Sequence, residues 1–342
     1  MKIRRLKYLL TLGASMAMAI MAAQGDAQTL IIDNNFTNGN PMSGAGALES
    51  TFFTTSSNSG LAGDNGTPGV LDFASGTSGR SVHTLFSPQT LSIAGDMIEA
   101  SYTFTTPATV GTNEDLRIGL FNTGGVAGFD TDISASTGTP NAILNNLPGI
   151  SGEFDINTSD ADLAVRTHNV NNIDIAADGP NPNSSMVDRD LITGRLLTTT
   201  DGFDFLDSGP NNGFAIAANT QYTGTFRLTL DANGDIITTQ TLVGGTVNET
   251  FTSNPIAVAD DVTGGDVGVN TTTFDFLGFS VTSGAFGSVN DVDDPDLAPF
   301  DNGLSFNNVS VTFTSAAAVV PEPSSLALLG LIGCAGLIRR RR

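Results

Sequence analysis

The sequence predicts an all-β body, an antiparallel two-sheet sandwich of the jelly-roll kind, and three observations carry that expectation. Short runs of alternating apolar and polar residues recur between Gln28 and Ser315, each bounded by Gly, Asn or Asp. This is the pattern of half-buried strands joined by turns. No stretch of ten or more residues in that span keeps a clean 3.6-residue apolar period, so amphipathic helices are not expected. The body is rich in Thr, Ser, Asn, Gly and Phe, and the chain has 21 Phe and no Trp. Many short strands without helical interruption favour a sandwich over a parallel α/β fold.

Taken in chain order, Ile98-Glu-Ala-Ser-Tyr-Thr-Phe104 places Ile98, Ala100, Tyr102 and Phe104 on one face of a strand. Leu116-Arg-Ile-Gly-Leu-Phe121 alternates in the same way. From Phe129 to Ser208 regularity fades, with Pro140, Pro148, Pro180 and Pro182 among many Asn, Asp and Ser, and we expect long loops or an insertion over 129–208. The clearest hairpin is Gly224-Thr-Phe-Arg-Leu-Thr-Leu230, then Asp231-Ala-Asn-Gly-Asp235, then Ile236 to Val243, with Phe226, Leu228 and Leu230 facing one way. Asn233-Gly234 is expected to supply the positive φ angles of its turn. Leu304 to Phe313 closes the domain, alternating from Val309 through Val311 to Phe313. Phe203-Asp-Phe-Leu206 returns as Phe274-Asp-Phe-Leu277, but the flanks differ, so shared strand composition explains the pair better than a duplicated module. A body from 28 to 315 suits one large sandwich or two smaller domains.

Both ends carry sorting features. Met1 to Lys7 holds four basic residues ahead of an apolar run from Tyr8 to Ala23 and small or polar residues through Ala27. That is the layout of a removable secretory signal over 1–27, handed to the secretion translocon. The run is shorter than the roughly 20 apolar residues of a span, which disfavours an uncleaved anchor. In 316–342 an Ala-rich linker leads to Pro321-Glu322-Pro323. An apolar segment follows, with Leu326, Leu328, Leu329, Leu331 and Ile332, and the chain stops on Arg339, Arg340, Arg341 and Arg342. The segment reads as a C-terminal transmembrane helix, short against a hydrocarbon core of roughly 30 Å, so its membrane contact is expected to be transient. The arginines snorkel and stay cytoplasmic, leaving everything before Pro321 outside, where the signal also sends it.

Pro321-Glu322-Pro323, the short apolar helix and the arginine terminus resemble the PEP-CTERM sorting signal of exported bacterial proteins. The resemblance implies processing by a membrane-embedded exosortase-like enzyme. It also implies delivery to the cell surface, envelope or extracellular matrix, often alongside exopolysaccharide and biofilm. A plain membrane anchor is the competing reading. More loosely, Phe276-Leu-Gly-Phe-Ser-Val281 and Asn302 to Phe313 resemble the closing strands of concanavalin A-like and laminin-G-like domains. This likeness brings in an extracellular polysaccharide-binding lectin-like module as an alternative role.

Charge narrows the partners. Gln28–Ser315 contains 33 acidic residues against six arginines (Arg80, Arg117, Arg166, Arg189, Arg195 and Arg227) and no lysine, a net of 27 negative charges. Nucleic acid is repelled by such a field, although solubility alone also explains it. The single cysteine, Cys334, sits in the tail, so the exported body has no disulfide where one is permitted.

For chemistry, hard oxygen ligands suit calcium, and the densest acidic cluster is Asp291, Asp293, Asp294 and Asp296, followed by Asp301. A solvated acidic loop is the plainer reading. A melting temperature raised by calcium and lowered by chelator would separate the two. Asp231-x-Asn233-x-Asp235 copies the start of an EF-hand loop, but Gly234 is misplaced for one and no Glu stands at position twelve, so a hairpin turn is preferred. Glu153 and Asp155 match the first two carboxylates of the strand motif in laminarinase-like glycoside hydrolases, yet Asn157 or Thr158 stands where the third is needed. His83 and His168 are the only imidazoles, and lone histidines are more often structural than catalytic. The sequence therefore predicts a non-enzymatic structural or adhesive protein, with no catalytic residue assigned.

Overall fold

The computed structural model describes residues 27–36, 50–54, 71–73, 80–108, 110–111, 115–130, 147–155, 163–168, 203–209, 214–258, 269, 271–281 and 304–316. In chain order the strands are β1 (Ala27–Asn34), β2 (Phe52–Thr54), β3 (Leu71–Phe73), β4 (Arg80–Thr90), β5 (Met97–Thr105), β6 (Asp115–Phe121) and β7 (Gly149–Asp155). They continue with β8 (Leu163–His168), β9 (Phe203–Ser208), β10 (Gln221–Leu230), β11 (Ile236–Gly244), β12 (Val247–Thr252), β13 (Thr273–Val281) and β14 (Leu304–Ser315). No helix occurs among the described residues, and Thr29–Phe313 forms one compact unit.

The strands make two seven-stranded antiparallel sheets. Sheet A runs β1-β14-β5-β10-β11-β12, with β3 added on β14; sheet B runs β2-β4-β13-β6-β7-β8-β9. The alternation read from sequence sets the inward face of sheet A. Ile98, Ala100, Tyr102 and Phe104 of β5 are all buried, as are Tyr222, Phe226, Leu228 and Leu230 of β10. The inward residues of sheet B are Val82, Leu116, Ile118, Leu120, Ile150, Phe154, Leu277, Phe279 and Val281, and both sets belong to one apolar cluster. Aromatic rings join the layers: Phe279 of β13 meets Tyr102 of β5 edge-on at 5.5 Å and Phe306 of β14 at 4.8 Å. Gln240 of β11 crosses between the sheets and donates from Nε2 to the carbonyl of Ala164 on β8 (2.7 Å). Gly152 leaves room for it, since a Cβ there would collide with the amide.

The outward face of sheet A is hydroxylated and half-exposed. Cross-strand threonines pair across it, Thr103 with Thr223 (3.2 Å) and Thr225 with Thr241 (2.7 Å). Such pairs stabilise a sheet much as i,i+4 pairs stabilise a helix.

Two local expectations change. The β10–β11 connection is a five-residue loop in which only Gly234 has a positive φ (90°). Asn233 does not need one, because a longer loop turns first and places glycine at the single left-handed position. The β14 alternation holds through Val309 and Val311 but ends at Phe313, which is only half-buried. Within 129–208 the described residues include three strands, β7, β8 and β9, which lie side by side at one flank of sheet B. The repeated Phe-Asp-Phe-Leu segments fall in β9 at a sheet edge and β13 in its middle, so they are not equivalent positions.

Tyr102 carries an energetic consequence. Its side chain is fully enclosed and its hydroxyl makes no hydrogen bond, which costs about 1–3 kcal/mol of desolvation. Burial also pushes the phenol well above its ordinary value of 10.0. A raised folded value means that this contribution to stability is complete below pH 10 and is lost as pH climbs toward the folded value. Tyr102→Phe is therefore expected to be neutral or to stabilise by up to about 1 kcal/mol in urea titrations, and to flatten the loss of stability above pH 10. A clear destabilisation would show that the hydroxyl has a partner.

Candidate functional site

Sheet B differs from sheet A in being buried on its outward side as well. Every residue from Leu116 to Phe121 and from Phe274 to Val281 is buried. The register aligns the outward residues into rows. One row is Ser81 (β4), Ser280 (β13), Arg117 (β6) and Glu153 (β7), each directly opposite the next. The adjacent row is His83, Gly278, Gly119 and Ser151. A third brings Phe276 beside Phe121.

Arg117 donates from Nε to Glu153 Oε2 at 2.7 Å, with the two side chains 3% and 7% exposed. Pairing neutralises both charges, without which neither side chain would be tolerated at that depth. His83 stacks on Phe276 with centroids 4.8 Å apart and planes 8° from parallel, and its Nε2 lies 2.9 Å from the carbonyl of Phe129. Phe121 and Phe129 each meet Phe276 edge-on. The hydroxyls of Ser81, Ser151 and Ser280 make no hydrogen bond although each residue is 1% exposed.

Glu153, singled out from the sequence, thus lies in the middle of this face and is engaged by Arg117. Asp155 follows two residues on along β7, opposite Asp115, and His168 ends β8 opposite Phe203; neither side chain is among those described. Arg117, Ser81, Ser151 and Ser280 were not anticipated. Gly119 and Gly278 are the signal that points to them, since glycine inside a strand marks close approach of something else: the Phe121 ring lies over Gly119.

Elsewhere the acids close turns. Asp231 accepts hydrogen bonds from the amides of Asn233 (2.7 Å) and Asp235 (2.9 Å). These bonds, that from Asp235 foremost, hold its carboxyl below the ordinary 3.8. The EF-hand likeness is therefore a hairpin turn. Asp275 accepts from the amide and hydroxyl of Thr123 (2.7 and 2.6 Å). No group of three His, Cys, Asp or Glu that could hold a metal ion occurs among the described residues. Asp291, Asp293, Asp294, Asp296 and Asp301 lie outside them, as do residues 1–26 of the signal segment, Pro321 to Pro323, the apolar tail and Arg339 to Arg342. Among the described residues no helix is long and apolar enough to cross a membrane.

Residues 319–342 match the PEP-CTERM protein-sorting motif, which makes this an exported, envelope-associated protein. Among curated proteins a sequence search finds no match. Similar solved structures include the exoplasmic/lumenal domain of VIP36 in its Ca2+/Man2-bound form, 8% identical, covering 83% of this chain and 89% of that one at a TM-score of 0.39. The potassium-bound carbohydrate recognition domain of Emp46p is 10% identical over 77% and 87% (TM-score 0.37). A Bauhinia forficata lectin in complex with GalNAc is 12% identical over 85% and 99% (TM-score 0.36). The superpositions are loose, and the sandwich stands on its own sheet order and register.

Proposed function

We propose that this chain is a non-enzymatic structural or adhesive protein of the cell surface or extracellular matrix, released there through exosortase-like processing of its tail. The match of residues 319–342 to the sorting motif carries the reading. The acidic, lysine-free and disulfide-free body is compatible with an exterior, hydrated setting. In support of a non-enzymatic role, Glu153 is held by Arg117 at 2.7 Å, whereas a glycosidase needs two carboxyl groups available on either side of the sugar bond. Removing Pro321 to Arg342 is expected to divert the body from the envelope into the medium or periplasm, read by fractionation and immunoblot. Unchanged localisation would retire the proposal.

A further inference from the structure

We infer that the outward face of sheet A, over β14, β5, β10, β11 and β12, is a self-association surface whose occupant is the same face of a second copy of this chain. Charge chooses the occupant. The body from Gln28 to Ser315 carries 27 net negative charges, so two copies repel one another, and the repulsion is weakest where neither surface presents an unpaired acid. The outward residues of β5, β10, β11 and β12 include one acid, Glu99, and one base, Arg227, and these two are paired, Nε to Oε2 at 2.7 Å. Glu249 of β12 stands opposite the inward residue Leu242 and so belongs to the other side of the sheet. β14 contributes Ser305, Asn307 and Ser310 and no charge. The face is a near-neutral patch on a strongly acidic body.

The chemistry of the face is self-complementary. One row across it reads Ser101, Thr225, Thr241 and Thr250, and the next reads Glu99, Arg227, Thr239 and Thr252. Threonine hydroxyls bond one another along these strands, Thr103 with Thr223 at 3.2 Å, Thr225 with Thr241 at 2.7 Å and Thr239 with Thr252 at 3.3 Å. Each pair engages a donor within the sheet, which lowers the cost of drying the face against another protein. Because each copy offers a cation beside an anion, a two-fold arrangement allows Glu99 of one copy to face Arg227 of the other with no excess of either sign. Val243, 48% exposed, and the half-buried Met97 and Ile237 supply apolar contact. At the usual strand spacing and rise, the five strands present about 750 Å2, close to the roughly 800 Å2 per partner of a standard stable interface.

The test is sedimentation velocity of the full chain in mild detergent over a range of concentrations, where monomers are expected to give way to dimers. Thr225→Asp, at the centre of the face, sets like charges against each other across the contact and should weaken the dimer about a hundredfold or more, whereas the uncharged Thr225→Asn should weaken it less than about tenfold. Monomers at every concentration would overturn the inference. A dimer that Thr225→Asp leaves intact would also overturn it, placing the contact at a sheet edge or in the tail. If Thr225→Asp fails to fold, cross-linking with a short bis-maleimide decides the matter in a Cys334→Ser background. There Thr225→Cys is expected to give a linked dimer on a denaturing gel, and Val126→Cys, 58% exposed in the loop after β6, is not. Equal linking at the two positions, or none at Thr225, would refute the contact. None of these outcomes bears on the sorting tail, which stands or falls on the localisation experiment.

Discussion

Arg117→Ala is expected to destabilise the body by about 3–5 kcal/mol, because it removes the guanidinium that faces the Glu153 carboxylate in a site from which water is excluded. The two side chains are 3% and 7% exposed and face each other directly across β6 and β7. Removing one partner does more than delete an attraction, since the remaining charge keeps its full desolvation cost. For a body of this size that corresponds to a fall in melting temperature on the order of 10 °C. Arg227→Ala is the control. Arg227 pairs with Glu99 in the same cross-strand arrangement, Nε to Oε2 at 2.7 Å, but on the open face of sheet A, with side chains 41% and 18% exposed. Its loss should cost about 1 kcal/mol or less. Replacing both buried partners with Met and Leu should recover most of the stability lost in Arg117→Ala, since an apolar pair carries no desolvation cost. Equal effects of Arg117→Ala and Arg227→Ala in urea titrations would show that the outward face of sheet B is open to water.

The contrast between those two pairs also explains what could be read in the sequence. β5 and the β10–β11 hairpin were legible because sheet A has one wet face. Solvent there demands polar residues at every second position, so Ile98, Ala100, Tyr102 and Phe104 stand out against Glu99, Ser101 and Thr103. β6 shows the same alternation, but Arg117 does not face solvent. A buried pair and an exposed pair have the same signature along one strand, and only the partner strand distinguishes them. That partner, Glu153, is 36 residues away, and pairing at that separation is invisible to periodicity. Ser81, Ser151 and Ser280 were obscured for a related reason: small polar residues beside glycine read as turn composition, whereas here they line the middle of a sheet. The sorting tail was legible for the opposite reason, being a contiguous motif that needs no partner strand.

Phe279→Ala is expected to cost about 3–5 kcal/mol, the range for emptying a large buried aromatic site. Phe279 is 1% exposed and sits on the inward face of β13, between Val82 of β4 and Ile118 of β6 in the register. Its ring reaches across the core to Tyr102 and Phe306. The loss therefore combines transfer, cavity and ring-pair terms, with each aromatic contact adding about 0.5–1.5 kcal/mol beyond its area. Collapse around the vacancy is resisted because β13 is a central strand, bonded to β4 on one side and β6 on the other, and cannot shift inward without breaking two ladders. Phe279→Leu refills most of the volume and should cost far less than the alanine variant. Val126, which is 58% exposed, should tolerate alanine within about 0.5 kcal/mol. Urea titrations with an unchanged m-value would confirm that the cost lies in packing alone. A loss near 1 kcal/mol for Phe279→Ala would mean that the two sheets do not meet at this ring, and the sandwich would need a different line of contact.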